Sequence, residues 1–274
     1  MVLINGKSED RIAVADRGLQ YGDGLFETIA FRDGIAEFIE AHLKRLLDGC
    51  KRLNIPFKQL ELLREELAGV YQELSTSNAV IKIIITRGSG GRGYYADESI
   101  EPTRIISTHP LPAYPESHSL TGVSVRFCQH KLSESPSLAG IKHLNRLDNV
   151  LARSEWDKTD IAEGLMFDQS GNLIEGTMSN VFIVIANELV TPLLNKSGVA
   201  GIMRAQIIRL TKQLGLAFKE RSITQDDLNK ADEVFVCNSL NGIWPVIGII
   251  NIDKKYSRGT ITQQLQHALS TVKK

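Results

Sequence analysis

The chain of 274 residues is 42% hydrophobic and 23% charged, an ordinary globular composition that excludes disordered, collagen-like and coiled-coil classes. Thirty-two basic residues balance 32 acidic ones, so no global field recruits nucleic acid or an anionic membrane, and a small-molecule partner is expected. Three scattered cysteines, Cys50, Cys128 and Cys237, include no CxxC pair, which argues against a disulfide framework or a cysteine zinc site and for a reducing, cytoplasmic compartment. The polar opening from Met1 to Asp10 is unlike a signal peptide, and no apolar run approaches the roughly 18 residues of a membrane span.

In chain order, Met1 to Ile12 reads as a short strand pair turning at Asn5-Gly6, followed by a polar loop. From Glu37 to Asn54, Ile39, Leu43, Leu46, Leu47, Cys50 and Leu53 recur at helical spacing, which predicts an amphipathic helix with Arg45 off its apolar stripe. A helix over Lys58 to Leu74 leads into the β-branched run Ala79 to Thr86, a mostly buried strand, and another strand covers Arg104 to Thr108. Residues 109–117 hold three of the chain's eight prolines, so an extended crossing is expected there between an N-terminal domain (1–108) and a C-terminal one (118–274). Beyond it the patterns predict strands at Val123 to Phe127, Gly164 to Asp168, Asn180 to Ile185 and Glu233 to Cys237. Helices are expected over Asn145 to Lys158, Met203 to Leu214 and Thr260 to Val272. Strands and helices intermix in both parts, an α/β (α+β) chain of two domains.

Several constellations carry chemistry. Gly88-Ser-Gly-Gly-Arg92-Gly93 formally satisfies GxGxxG, yet no helical period follows it, so it reads as a glycine loop. Arg92 and Tyr94 in that loop are suited to a substrate carboxylate. Lys142 lies between an apolar stretch and a helix start, where desolvation would lower its pKa, although a lysine so placed is more often a solvated surface group. Glu175 precedes a strongly apolar strand. Ser197-Gly-Val-Ala-Gly201 precedes a helix, as a phosphate seat requires, and Cys237-Asn-Ser-Leu closes a strand with polar donors. An amine, an acid and an anion seat together are the parts of a pyridoxal phosphate site. No histidine stands at metal-ligand spacing, and no metal is expected.

Six motifs, in order, resemble the fold-type IV pyridoxal phosphate enzymes. They are Asp16-Arg17-Gly-Leu-Gln-Tyr-Gly22-Asp23-Gly24-Leu-Phe-Glu27-Thr28, His42-Leu-Lys-Arg45, Ile141-Lys142-His-Leu-Asn145, Glu175-Gly-Thr-Met-Ser-Asn180, Gly201-Ile-Met-Arg204 and Cys237-Asn-Ser-Leu. Within that family, the run from Leu138 to Leu147, with Arg87 to Tyr94 and Leu3 to Gly6, is most similar to the aminodeoxychorismate lyases. The resemblance implies two domains with the cofactor between them and a homodimer. It implies that Lys142 holds pyridoxal 5′-phosphate covalently and shuttles protons, and that Glu175 pairs with the pyridine nitrogen. Arg45, the backbone at Ile202 and Met203, and Asn238 with Ser239 would hold the phosphate, and Thr28 would line the catalytic cleft. Met203 stands where many aminotransferases carry threonine, and Leu147 where branched-chain aminotransferases carry tyrosine. The implied activity is a lyase releasing 4-aminobenzoate and pyruvate, in folate biosynthesis. The alternatives are an aminotransferase acting on D-amino acids and a non-enzymatic phosphate- or nucleotide-binding protein built on the 88–93 loop.

Overall fold

The computed structural model describes residues 1–91, 93–97, 99–157 and 160–272. They divide into two compact units: Met1–Pro112 with Ile141–Asn145, and Ala113–Gly140 with Arg146 onward.

In the first unit, β1 (Val2–Ile4) and β2 (Lys7–Ser8) form the expected hairpin, with Asn5 and Gly6 at φ 50° and 78°. The stretch expected to be a polar loop instead holds α1 (Arg17–Tyr21) and β3 (Gly24–Arg32). Leu25, Ile29 and Phe31 of β3 face the core, but the buried Glu27 shares their face and breaks the apolar alternation that would announce a strand. After β4 (Ile35–Ala36), α2 (Ile39–Arg52) buries Leu43, Leu46 and Cys50 of its predicted stripe. Then follow α3 (Leu60–Leu74), β5 (Ala79–Thr86) and β6 (Thr103–Pro110). The last strand runs two residues past its expected end because Pro110, missing only an N–H, is tolerated as the terminal residue, opposite Ala79.

These strands form one sheet in the order β2-β1-β6-β5-β3-β4, antiparallel throughout. Ile29, Ile81, Ile83 and Ile85 on its inner face pack with Leu43, Leu46, Leu63 and Leu67. Each such fully buried side chain contributes about 1.5–3 kcal/mol. Residues 141–145 belong here because they bond to β3 and the turn before it. Phe26 N donates to Lys142 O and Leu144 N to Gly24 O, each at 3.0 Å, and Asn145 Nδ2 donates to Gly22 O at 3.0 Å.

The second unit runs α4 (Ser117–Leu120), β7 (Val123–Phe127), α5 (Leu147–Arg153), β8 (Glu163–Phe167), β9 (Leu173–Gly176), β10 (Asn180–Ile185) and β11 (Glu188–Thr191). It continues with α6 (Ile202–Gln213), β12 (Phe218–Glu220), α7 (Gln225–Lys230), β13 (Glu233–Asn238), β14 (Gly242–Ile249), β15 (Lys254–Lys255) and α8 (Thr260–Thr271). The sheet order is β12-β11-β10-β13-β14-β7-β8-β9, with β15 on β14, and it mixes parallel and antiparallel neighbours. Helix α5 is shorter than predicted: it starts only after residues 141–145, and Lys158 lies outside the described residues. Strand β14 escapes prediction because it contains Pro245, which precedes Val246, where pairing with β7 begins. No helix among the described residues is long and apolar enough to cross a membrane.

Candidate active site

In the first unit, the extended segment beside β3 delivers Lys142. Its Nζ stands 4.2 Å from the centre of the Phe26 ring, a cation–π distance. Lys82 approaches the same ring, with Nζ at 5.6 Å. Lys82 lies directly opposite Thr28 across β3 and β5, and Thr28 follows Phe26 by two residues, so the three share a face of the sheet. The sequence expectations passed over Lys82. Its signal is that it alone is charged within the run from Ala79 to Thr86.

On the opposite, core-facing side of β3, Glu27 is 1% exposed. Two residues of α2, three apart and hence on one helix face, reach it. Arg45 Nε donates to its Oε1 at 2.8 Å, Arg45 Nη2 donates to Oε2, and His42 Nδ1 lies 2.6 Å from Oε2. Burial pushes the Glu27 pKa up, but the His42 and Arg45 hydrogen bonds and charges outweigh it and hold the carboxyl below its ordinary value. Burial lowers the His42 pKa, helped by the charges of Arg45 and Lys142 and opposed by Glu27, so Nδ1 carries the proton that an anionic Glu27 accepts. Arg45 is thus a half-buried ion-pair partner, not the solvated residue its place off the apolar stripe predicts.

Tyr94 follows the glycine loop. It is exposed, meets Tyr21 edge to face at 5.7 Å, and its carbonyl accepts from the buried Arg17 at 2.9 Å. Arg17 also holds Gly93 O at 3.0 Å and is paired with Asp23, so the glycine loop is pinned where it meets α1. No helix opens directly after it in residues 93–97, as expected from the sequence. Arg92 lies outside the described residues.

In the second unit, Glu175 is buried on β9, and its Oε2 accepts from Val199 N at 2.8 Å. Gly198, with φ +84°, makes the turn that presents this N–H. A Cβ there would meet Ile174 and Leu194 carbons at 2.8 Å. Asn180, at the head of β10, completes the stitching: its Nδ2 donates to Val199 O at 2.8 Å and its Oδ1 accepts from Gly201 N at 3.1 Å. A Cβ at Gly201 would lie 2.1 Å from Asn180 Oδ1, so a side chain there would displace the amide that bonds Gly201 N. Glu175 and the start of α6 are therefore tied to one three-residue strip. Ile202 and Met203 are the first two residues of that helix, which has no side-chain cap.

Arg146, absent from the sequence expectations, is close enough for Glu175 to favour its charge, while burial draws its pKa below the ordinary value. Asn238 ends β13 and Ser239 begins the turn after it. Asn238 Oδ1 accepts from Leu240 N and Asn241 N, and its Nδ2 donates to Met178 O at 3.2 Å, so this side chain shapes its own turn. The turn at Thr177–Ser179 is fixed by the buried Glu163, which accepts from Thr177 N, Met178 N and the hydroxyls of Thr177 and Ser179.

Taken unit by unit, the residue types are those a phosphorylated pyridine aldehyde requires: the first unit has a primary amine over an aromatic ring, and the second has a buried carboxylate seated on a backbone N–H and a helix N-terminus with no side-chain cap. These residues fall within a sequence pattern that matches residues 24–249, and the chain belongs to the family it describes, the class IV amino-transferases. Over 99% of its length it is 37% identical to all of an aminodeoxychorismate lyase from Vibrio harveyi. Among solved structures, it is similar to a 4-amino-4-deoxychorismate lyase from Pseudomonas aeruginosa, with TM-score 0.94, 44% identity and 98% of each chain covered. It is also 31% identical, over 99% of its length and 96% of the relative's, to a putative branched-chain-amino-acid aminotransferase from Methanocaldococcus jannaschii.

Proposed function

We propose that the protein is a pyridoxal phosphate-dependent lyase that converts 4-amino-4-deoxychorismate to 4-aminobenzoate and pyruvate, a step of folate biosynthesis. The observation that carries this reading is end-to-end similarity to two aminodeoxychorismate lyases, in a chain whose amine, buried acid and helix start suit the cofactor. Leu147 agrees: it is an exposed first residue of α5 where branched-chain aminotransferases place tyrosine.

Lys142 Nζ would hold the cofactor, and the same amine is the base assigned to the proton on the substrate ring carbon that bears the amino group. Pyridoxal phosphate supplies an electron sink at that carbon. Glu175, which accepts from the Val199 N–H and lies near Arg146, would pair with the pyridine nitrogen and favour its protonated form. Arg45, the N–H groups of Ile202 and Met203, and the Asn238-Ser239 turn would hold its phosphate. Loss of the enolpyruvyl ether, protonated at its methylene, leaves pyruvate and an aromatic ring, so atoms balance without a second substrate. Lys82, with Arg92 and Tyr94, is assigned to the substrate carboxylates, and Thr28 lines the same face. The exposed Leu147, Val150 and Leu151 of α5 suit a homodimer, and three free, buried cysteines suit a cytoplasmic setting.

The test is incubation of the holoenzyme with aminodeoxychorismate and no keto acid, with both products quantified. Equimolar pyruvate and 4-aminobenzoate are expected. Product formation only after a keto acid is added would move the function to transamination.

A further inference from the structure

We propose that Glu27 is the positioning residue for Arg45, setting the plane of its guanidinium so that it meets the cofactor phosphate. The inference rests on the proposed function in one respect, that Arg45 is a phosphate ligand. Glu27 occupies a position on β3 between Leu25 and Ile29 where an apolar side chain would satisfy the core. A carboxylate there is costly unless it is paired and fully bonded. The pairing found is a two-pronged one, in which Nε and Nη2 of Arg45 donate to the two different oxygens of Glu27. That fork fixes the guanidinium plane, which a single contact would not. His42 closes the arrangement from the same helix face, holding Oε2 at 2.6 Å so that the carboxylate cannot turn. Lys142, from the segment beside β3, is near enough for its charge to act on His42.

Coulomb's law and orientation predict opposite signs for one substitution. Glu27→Gln removes a negative charge near the phosphate and by charge alone would tighten binding. By loss of orientation it weakens it. The ligands to compare are pyridoxal phosphate and pyridoxal, which lacks only the phosphate, each titrated into apoprotein and read by equilibrium dialysis.

Glu27→Gln is expected to lose about tenfold in affinity for pyridoxal phosphate, the size of one charge-assisted hydrogen bond, with pyridoxal affinity unchanged. Arg45→Lys should lose the same selectivity, and adding Glu27→Gln to it should cost nothing further. Equal weakening toward both ligands would make Glu27 merely structural, and unchanged or tighter binding of pyridoxal phosphate would make it a charge effect. Either result overturns the proposal. Should Glu27→Gln fail to fold, Glu27→Asp keeps the charge and withdraws the fork by one methylene, and the same selective loss is expected. Unchanged selectivity for pyridoxal phosphate over pyridoxal in Arg45→Lys would instead remove the phosphate reading of Arg45 itself.

Discussion

The two units hold their buried carboxylates in different ways. In the first, most pair with arginines, Glu27 with Arg45, Asp23 with Arg17 and Arg87, and Glu66 with Arg104, while Asp16 rests on Gly18 N at the start of α1 and on the hydroxyls of Thr86 and Thr103. In the second, acids sit on backbone N–H groups: Glu175 on Val199, Glu163 on Gly164, Thr177 and Met178, and Glu233 on Ile261 and Thr262. The difference follows from what each unit must place. Orienting a cation takes an opposing charge with two prongs, whereas holding a carboxylate while fixing a loop or helix start takes backbone donors. On this view the first unit supplies aimed cations, Lys142 and Arg45, and the second a seated acid and an open helix end.

The sharpest break in that contrast is Lys142→Ala. It should lower product formation by at least about 10³-fold with little change in melting temperature, because the role proposed for the amine is in the chemistry rather than in the fold. A variant retaining a tenth of wild-type turnover would remove Lys142 from its role. Next come two acids of similar burial. Glu66→Ala strands Arg104, whose side chain is only 6% exposed, and should cost about 3–5 kcal/mol by urea unfolding. Glu233→Ala leaves only neutral donors at the start of α8 and should cost about 1–2 kcal/mol. Equal losses would erase the distinction between the units.

The smallest effect sits at α7, where Arg221 and the Thr224 N–H and hydroxyl hold the Asp227 pKa down to about 2. A depressed acid contributes stability that is complete above its ordinary value of 3.8 and disappears as pH falls through its folded value. The gap in melting temperature between wild type and Asp227→Asn should therefore be constant near neutrality and close toward about pH 2. A gap that widens on acidification would reverse the sign.

The apolar periods of α2, β5, β10, α6 and α8 are legible in the sequence because each buries one face or both against its own unit. Strand β3, central to the first sheet, is hidden by Glu27, whose partners lie on the next helix and leave no trace in local pattern. The same long-range pairing conceals why Arg45 stands off its stripe. Lys142, Glu175 and the glycines before α6 were suggested by residue type, but the strip of Val199 to Gly201 joining Glu175 to the helix start was not. It depends on side chains 19 to 24 residues away in the chain, beyond any helical or strand period. Lys82 was visible only as a charge in an apolar run, a signal that acquires meaning once β5 is paired with β3.

Two lysines flank Phe26, and the account requires that only one of them bind the cofactor. Borohydride reduction of the holoenzyme, followed by peptide mass mapping, distinguishes them directly. The added pyridoxyl phosphate mass should fall on the peptide containing Lys142, and its appearance on the peptide containing Lys82 would contradict the account.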